Sequence, residues 1–416
     1  MPSEFALDDA ALRRARTRTV WVLSLGQILG GLAFGATISL GAVLAADISG
    51  DESLSGLATA SVTLGAAAAA VPLAALARRR GRRPSLTSGM AVALVGVVVV
   101  VLAAAGRSFP LLLVGFVLIG AGQAANLQSR FAAADLATDR SRARDLSVVV
   151  WATTIGAVLG PNLVGPGQVL GAALGMPPLT GPYLFTVVAQ LLGMALYLIA
   201  LRPDPLLLAQ RVAAARILSG AGAIARADRP TAARYAVFTI AGAHAVMVSV
   251  MAMTPVHLLH HGATVEIIGL TISLHIAGMY ALSPVFGILA DRLGRTPTVL
   301  VGQALLAAAL LTAALGQESS AAVIVALILL GLGWSASTVA GAALLTEASA
   351  EARRTRRQGR SDLTMNLVAA LGAILAGIAL SWIGYGGLSL CGLVVAGAVV
   401  ALSPLGRRDA PASVTA

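Results

Sequence analysis

The chain has 416 residues, 57% of them hydrophobic and 11% charged, with a formal net charge of +11. A soluble chain of this length needs far more charge to cover its surface, so a water-soluble fold is excluded. The single cysteine, Cys391, excludes internal disulfides and any multi-cysteine metal site.

Runs of roughly 20 apolar residues, each enough to cross a hydrocarbon core of about 30 Å, recur along the chain. Twelve are predicted, at about 20–46, 54–77, 85–106, 109–134, 146–170, 181–201, 233–257, 265–290, 297–316, 320–346, 363–383 and 386–405. Backbone polar groups in lipid must be satisfied within their own segment, so these runs are helices. The run ahead of "GAVLAA" is too long for a signal peptide and reads as an uncleaved first helix. All 29 basic residues are arginine. With the N-terminus in the cytoplasm, every arginine except Arg107 falls in a cytoplasmic segment or at a cytoplasmic helix end. That is the positive-inside bias, and it accounts for the basicity without nucleic acid. The expected divisions are a cytoplasmic tail (1–19), a six-helix bundle (20–202), a central loop (203–231), a second bundle (232–405) and a tail (406–416). Within the loop, Leu206 to Ile217 reads as an amphipathic helix able to lie on the inner leaflet.

Helix four carries Gln123, Asn126 and Arg130 on one stripe, a costly arrangement against lipid. Water, substrate or a neighbouring helix could satisfy it. Helix five contains "GAVLGPNLVGPG", in which Gly156 and Gly160 form a small-residue face. Pro161, Gly165 and Pro166 would bend or loosen the helix. All five histidines lie between His244 and His275, interleaved with methionines. His257 and His261 are spaced for a metal, but no carboxylate or cysteine completes a site, so no metal is expected. His244 and His275 lie inside helices seven and eight, where no span carries a carboxylate near its middle. They are the candidate proton acceptors. Trp334 in helix ten is either a cavity residue or a packing residue.

The halves repeat. "GILADRLGRTP" (Gly287 to Pro297) matches "ALARRRGRRP" (Ala75 to Pro84): Gly294 aligns with Gly81 and Arg295 with Arg82, while Asp291 aligns with Arg78. "DLSVVVWATTIGAVLG" from Asp145 matches "DLTMNLVAALGAILAG" from Asp362, and Asp135 corresponds to Glu347. Such repeats mark secondary transporters.

The turn after helix eight resembles the G-x-L-x-D-R-x-G-R-x signature of the major facilitator superfamily, matched well by Gly287–Arg295 and in its second half by the first copy. The resemblance covers nearly the whole chain. It implies an all-α membrane protein with twelve transmembrane helices in two pseudo-symmetric six-helix bundles, rocking about a cavity lined by helices one, four, seven and ten. Gln27, Gln123, Asn126, Arg130, His244 and Trp334 are then cavity candidates. The helix-five pattern is similar to that of the superfamily's drug/proton antiporters. Their R-x-x-x-G arginine in helix four is replaced by Phe116, so coupling through that residue is not expected.

Asp291 ends helix eight, where the helix dipole opposes an anion. It therefore needs partners, and Arg292, Arg295 and the amino end of helix five are the candidates. With Gly287 and Gly294 allowing close approach, this reads as a conformational latch, or else as a solvated basic loop. In the other copy, Arg78 is expected to face Asp362 with the charges exchanged, or to serve only as a topological anchor. Arg82 is expected near Asp135, and Arg295 near Glu347.

The expectation is a transporter, not an enzyme, without cofactor. It would be a monomer in a bacterial plasma membrane with both termini cytoplasmic, exporting a small organic molecule against protons. An importer of the same fold, a membrane sensor and a membrane enzyme are the alternatives.

Overall fold

A computed structural model describes residues 9–51, 54, 56–138, 140–218, 228–263 and 265–407. Among these there are fourteen α-helices: α1 (Asp9–Ser49), α2 (Gly56–Arg80), α3 (Arg82–Ala105), α4 (Phe109–Asp135), α5 (Arg142–Asn162), α6 (Val164–Ala173), α7 (Tyr183–Ala200), α8 (Pro205–Leu218), α9 (Pro230–His260), α10 (Val265–Tyr280), α11 (Ser283–Leu293), α12 (Arg295–Leu315), α13 (Ser320–Glu347) and α14 (Glu351–Ala401). Ten helical stretches among the described residues are long and apolar enough to cross a membrane. Two further spans bring the number to twelve. One is α1, which carries the first apolar run. The other arises because α14 is broken at Gly384 (φ 69°, ψ 180°) into two helices.

Some helices depart from their apolar runs. The first begins at Asp9 and the eleventh at Glu351, each about three turns before its run. Hydropathy marks only the lipid-facing length, and arginine-bearing turns extend beyond it. The fifth span is interrupted at Leu163, between α5 and α6, and the eighth at 281–282, between α10 and α11.

The chain forms two compact units. The first holds α1–α4, the part of α5 from Ala152, α6–α8, and residues Gln358–Leu363 of α14. In it α4 packs against α3, α2 and α1, and α7 packs against α1 and α3. Its core includes Val97, Leu112, Phe116, Ile119 and Tyr183. The second unit holds residues 138–151, at the start of α5, together with α9–α13 and the rest of α14. There α13 packs against α12, α10 and α9 around Met247, Leu310, Leu327 and Tyr385. The two segments that join the opposite half of the sequence are therefore the arginine-rich beginnings of α5 and α14.

Helix α8 does not stand alone as a surface helix. It packs on α4, α1 and α2, with Leu206 and Leu208 buried. Asp204 sets its start: Oδ1 accepts from Leu206 and Leu207 N–H at 3.1 and 3.3 Å. Oδ2 accepts from Arg83 N–H at 2.7 Å, so one carboxylate caps two helices. At the far end of the central loop, Asp228 accepts from Ala350 N–H at 3.0 Å and from Arg353 and Arg357. Burial pushes the Asp228 carboxyl upward, but the Ala350 N–H and the two guanidiniums outweigh it and hold the carboxyl below its ordinary value.

The repeated turn folds alike in both units. Gly81 has φ 95° and ψ 174°, and Gly294 has φ 102° and ψ 163°. This region is essentially restricted to glycine, and it lets one residue separate two helices. Gly81→Ala and Gly294→Ala should each cost about 1–3 kcal/mol, read as a lowered unfolding temperature in detergent. Asp228 gives a second test. Its folded carboxyl lies below the unfolded value of about 3.9, so its contribution is complete above that pH and is lost as pH falls through the folded value. Asp228→Asn should therefore speed hydrogen exchange at Ala350 at neutral pH, and the difference from wild type should disappear in strong acid.

Candidate functional site

In the second unit Asp291 closes a three-way contact. Its Oδ1 accepts from Ala143 N–H at 3.1 Å and its Oδ2 from Arg144 N–H at 2.9 Å. These donors belong to the first turn of α5, where backbone N–H groups have no partner within the helix. The favourable dipole end of α5 thus offsets the unfavourable end of α11. Arg295 adds a 2.6 Å ion pair to Asp291 and a second, at 3.2 Å, to Glu347. Glu347 also meets Arg229 at 3.1 Å. Close approach is possible because Gly287 faces Ser147 and the Ala143 carbonyl, where a Cβ would collide. Arg292 is exposed, so the motif's working cation is Arg295.

The first unit uses the opposite polarity. Arg130 donates to Asp362 at 2.6 Å, with side chains 3% and 0% exposed. Arg78 is exposed at the end of α2, so the expected Arg78–Asp362 pair is not formed. The reason is reach: Asp362 lies three turns inside α14 and meets the helix-four stripe instead of the α2–α3 turn. Arg82 is fully buried and pairs with Asp135 through Nε at 2.8 Å and a second nitrogen at 3.2 Å. That second nitrogen also donates to Gln358 Oε1 at 2.7 Å. Gly359 packs on Ala74 closely enough that a Cβ would clash.

A narrow polar pocket lies among α1, α3, α4 and α7 within the first unit. Gln123 and Asn126 line it together with Thr37, Thr186, Gln190 and Tyr197. Its open space, about 20 Å³, is on the scale of one water molecule. Asn126 Oδ1 and Gln190 Oε1 are buried without a hydrogen-bond partner. Gln27 is also buried and its Oε1 lacks a partner, but it is not part of the lining. Gln190, Thr186 and Tyr197 were not singled out in the sequence, although they share one face of α7 at i−4 and i+7 spacing.

In the second unit, Trp334 Nε1 donates to His244 Nδ1 at 2.8 Å, and Tyr280 meets the indole edge-on at 5.8 Å. His244 therefore carries its proton on Nε2. His275 is fully buried, with Nδ1 2.8 Å from the Leu327 carbonyl and Nε2 without a partner. At the end of α9, His257 Nε2 lies 2.6 Å from the Gln317 carbonyl and its ring stacks on Tyr385. His261 Nδ1 lies 2.9 Å from the His257 carbonyl. Backbone oxygens thus engage a ring nitrogen of His275, His257 and His261.

Gly156 crosses α1 at Gly31, with backbones so close that a Cβ on Gly156 would strike Ile28 and Leu32. Gly160 is buried. The break at Leu163 follows Pro161, while Gly165 and Pro166 lie exposed in the first turn of α6.

A family model described as Major Facilitator Superfamily matches residues 23–266 and 235–415. The chain belongs to this superfamily. It is a transporter, not an enzyme. It is 38% identical over 385 residues to the uncharacterized MFS-type transporter YddS of Bacillus subtilis, covering 91% of this chain and 88% of that one. Identity to the riboflavin transporter RfnT of Brucella anthropi is 31% over 375 residues, covering 87% and 89%. The fold is similar to that of human organic anion transporter MFSD10, with TM-score 0.74 at 19% identity, covering 94% of this chain and 99% of that one. The superfamily transporter FucP in its outward conformation gives TM-score 0.69 at 15% identity, covering 94% and 99%.

Breaking a buried ion pair from one side typically costs about 3–5 kcal/mol, whereas replacing both partners by apolar groups costs far less. Arg130→Met and Asp362→Leu should each lower the unfolding temperature more than the double substitution does. Strictly additive losses would show that the pair is not coupled.

Proposed function

We propose that this transporter is a proton-coupled exporter of a small uncharged organic molecule, working by alternating access in a bacterial plasma membrane with both termini cytoplasmic. The two clasps carry the reading: Asp291 on the start of α5 and Arg130 on Asp362 of α14. Apolar packing would hold these helix ends at least as well as buried charge does. Charge-assisted contacts suit ends that must separate and rejoin in each cycle, which is the latch role proposed for Asp291, Arg295, Glu347, Arg82 and Asp135. The arginine bias supports the orientation. The Gly31–Gly156 crossing, like the antiporter pattern in helix five, favours export.

His244 supplies the coupling step. Its Nδ1 accepts the Trp334 N–H, so a proton arriving at Nδ1 expels that donor. Protonation thereby moves the indole that packs against Tyr280. His275 is the second acceptor through Nε2. For substrate, the relative named as a riboflavin transporter makes riboflavin the first compound to try. The amides and hydroxyls of the first unit's pocket suit a hydrogen-bonding solute.

Flux of riboflavin and a panel of neutral, cationic and anionic compounds would be measured in proteoliposomes, with and without an imposed pH gradient. A neutral compound should be driven by the gradient. His244→Gln should abolish the driving effect while sparing exchange without a gradient. Undiminished gradient-driven flux in the His244→Gln/His275→Gln double variant would remove histidine from the mechanism.

A further inference from the structure

The pocket of the first unit carries a statement about ligand chemistry that the transport reading leaves open. Among the described residues of its lining no side chain is charged. Its polar groups are the amides of Gln123, Asn126 and Gln190 and the hydroxyls of Thr37, Thr186 and Tyr197. Thr37 and Thr186 spend their protons on the Ala33 carbonyl, at 2.8 and 3.3 Å, or on each other, at 3.4 Å, and present acceptor capacity to the pocket. Gln190, 6% exposed, has an Oε1 with no donor, and so has Asn126 Oδ1. An unpaired buried acceptor costs free energy until a donor reaches it.

The apolar part of the lining, Phe34, Met90 and Ile119, makes the pocket a poor solvent for ions. Among the described lining residues a cation would find no carboxylate to neutralise it, and an anion no guanidinium or imidazolium. We infer that this pocket receives one uncharged hydrogen-bond-donating group of the substrate, a primary amide, imide N–H or hydroxyl, and rejects charged groups of the same size. Its room, on the scale of a water molecule, fits a single functional group while the rest of the substrate lies outside. The inference rests on the transport reading for the identity of the occupant, and its chemistry can be tested without transport.

The test uses full-length protein in nanodiscs with Cys391→Ala and a reporter cysteine at the pocket, Gln123→Cys. The rate of labelling by N-ethylmaleimide is measured with acetamide, N,N-dimethylacetamide, acetate or ethylammonium at equal concentration. Acetamide should slow labelling by about fivefold relative to dimethylacetamide, which has no N–H, the factor worth roughly one net hydrogen bond. Acetate and ethylammonium should give no protection. Gln190→Met, which keeps the volume and removes the acceptor, should erase the acetamide effect while leaving the unfolding temperature near that of the parent. Equal or better protection by either ion, or none by acetamide, would overturn the inference. A failed transport panel with intact acetamide protection would count against the exporter reading alone.

Discussion

A carboxylate removed from water must be met by a cation or by free backbone N–H groups, and the arginine-rich helix ends are organised by that requirement. In the second unit the acid sits on the bundle, at Asp291, and the arriving helix start supplies the N–H groups of Ala143 and Arg144. In the first unit the arriving helix carries the acid, Asp362, and the bundle supplies Arg130. The duplicated turn has kept its glycine geometry and its arginine-to-acid pair in both copies, Arg82 with Asp135 and Arg295 with Glu347, while the contact to the arriving helix has changed polarity. Loss of the acid at Arg78 therefore removes nothing from the first unit, because its clasp is made one helix deeper.

The same requirement governs the central loop. Asp204 closes the amino ends of α8 and α3, and Asp228 that of α14. Each end of the loop is thus tied to a helix start by one aspartate. Hydrogen bonds to backbone N–H groups achieve this at little cost in desolvated charge. Within the spans, three polar interiors bear on transport: the amide pocket, the His244–Trp334 bond and the buried His275.

Much of this was legible in the sequence because its signals are local. Apolar run length located the twelve spans, and the recurrence of Gly81-Arg82 at Gly294-Arg295 exposed the duplication. Asp291 could be given partners because its place at a helix end made an uncompensated anion improbable. Arg130–Asp362 was not legible, since its members lie 232 residues apart and no repeat relates them. Gln190 was legible in part, since Thr186 and Tyr197 stand at i−4 and i+7 on the same face of its helix, but the run's high hydropathy drew attention away from that stripe. Asp204 could have been found, because Asp-Pro is a helix-start signature, and the loop's apolar stretch drew attention to the membrane instead.

We propose that these clasps open in each transport cycle. Ser147 and Ser283 touch across the second clasp, Ser283 Oγ donating to the Ser147 carbonyl at 3.1 Å. In a Cys391→Ala background, Ser147→Cys and Ser283→Cys would be bridged by a short thiol-reactive cross-linker, and flux would be measured before and after reductive release. Transport should stop on cross-linking and return on release, with either single cysteine unaffected. Full-rate transport by the cross-linked protein would contradict the proposal.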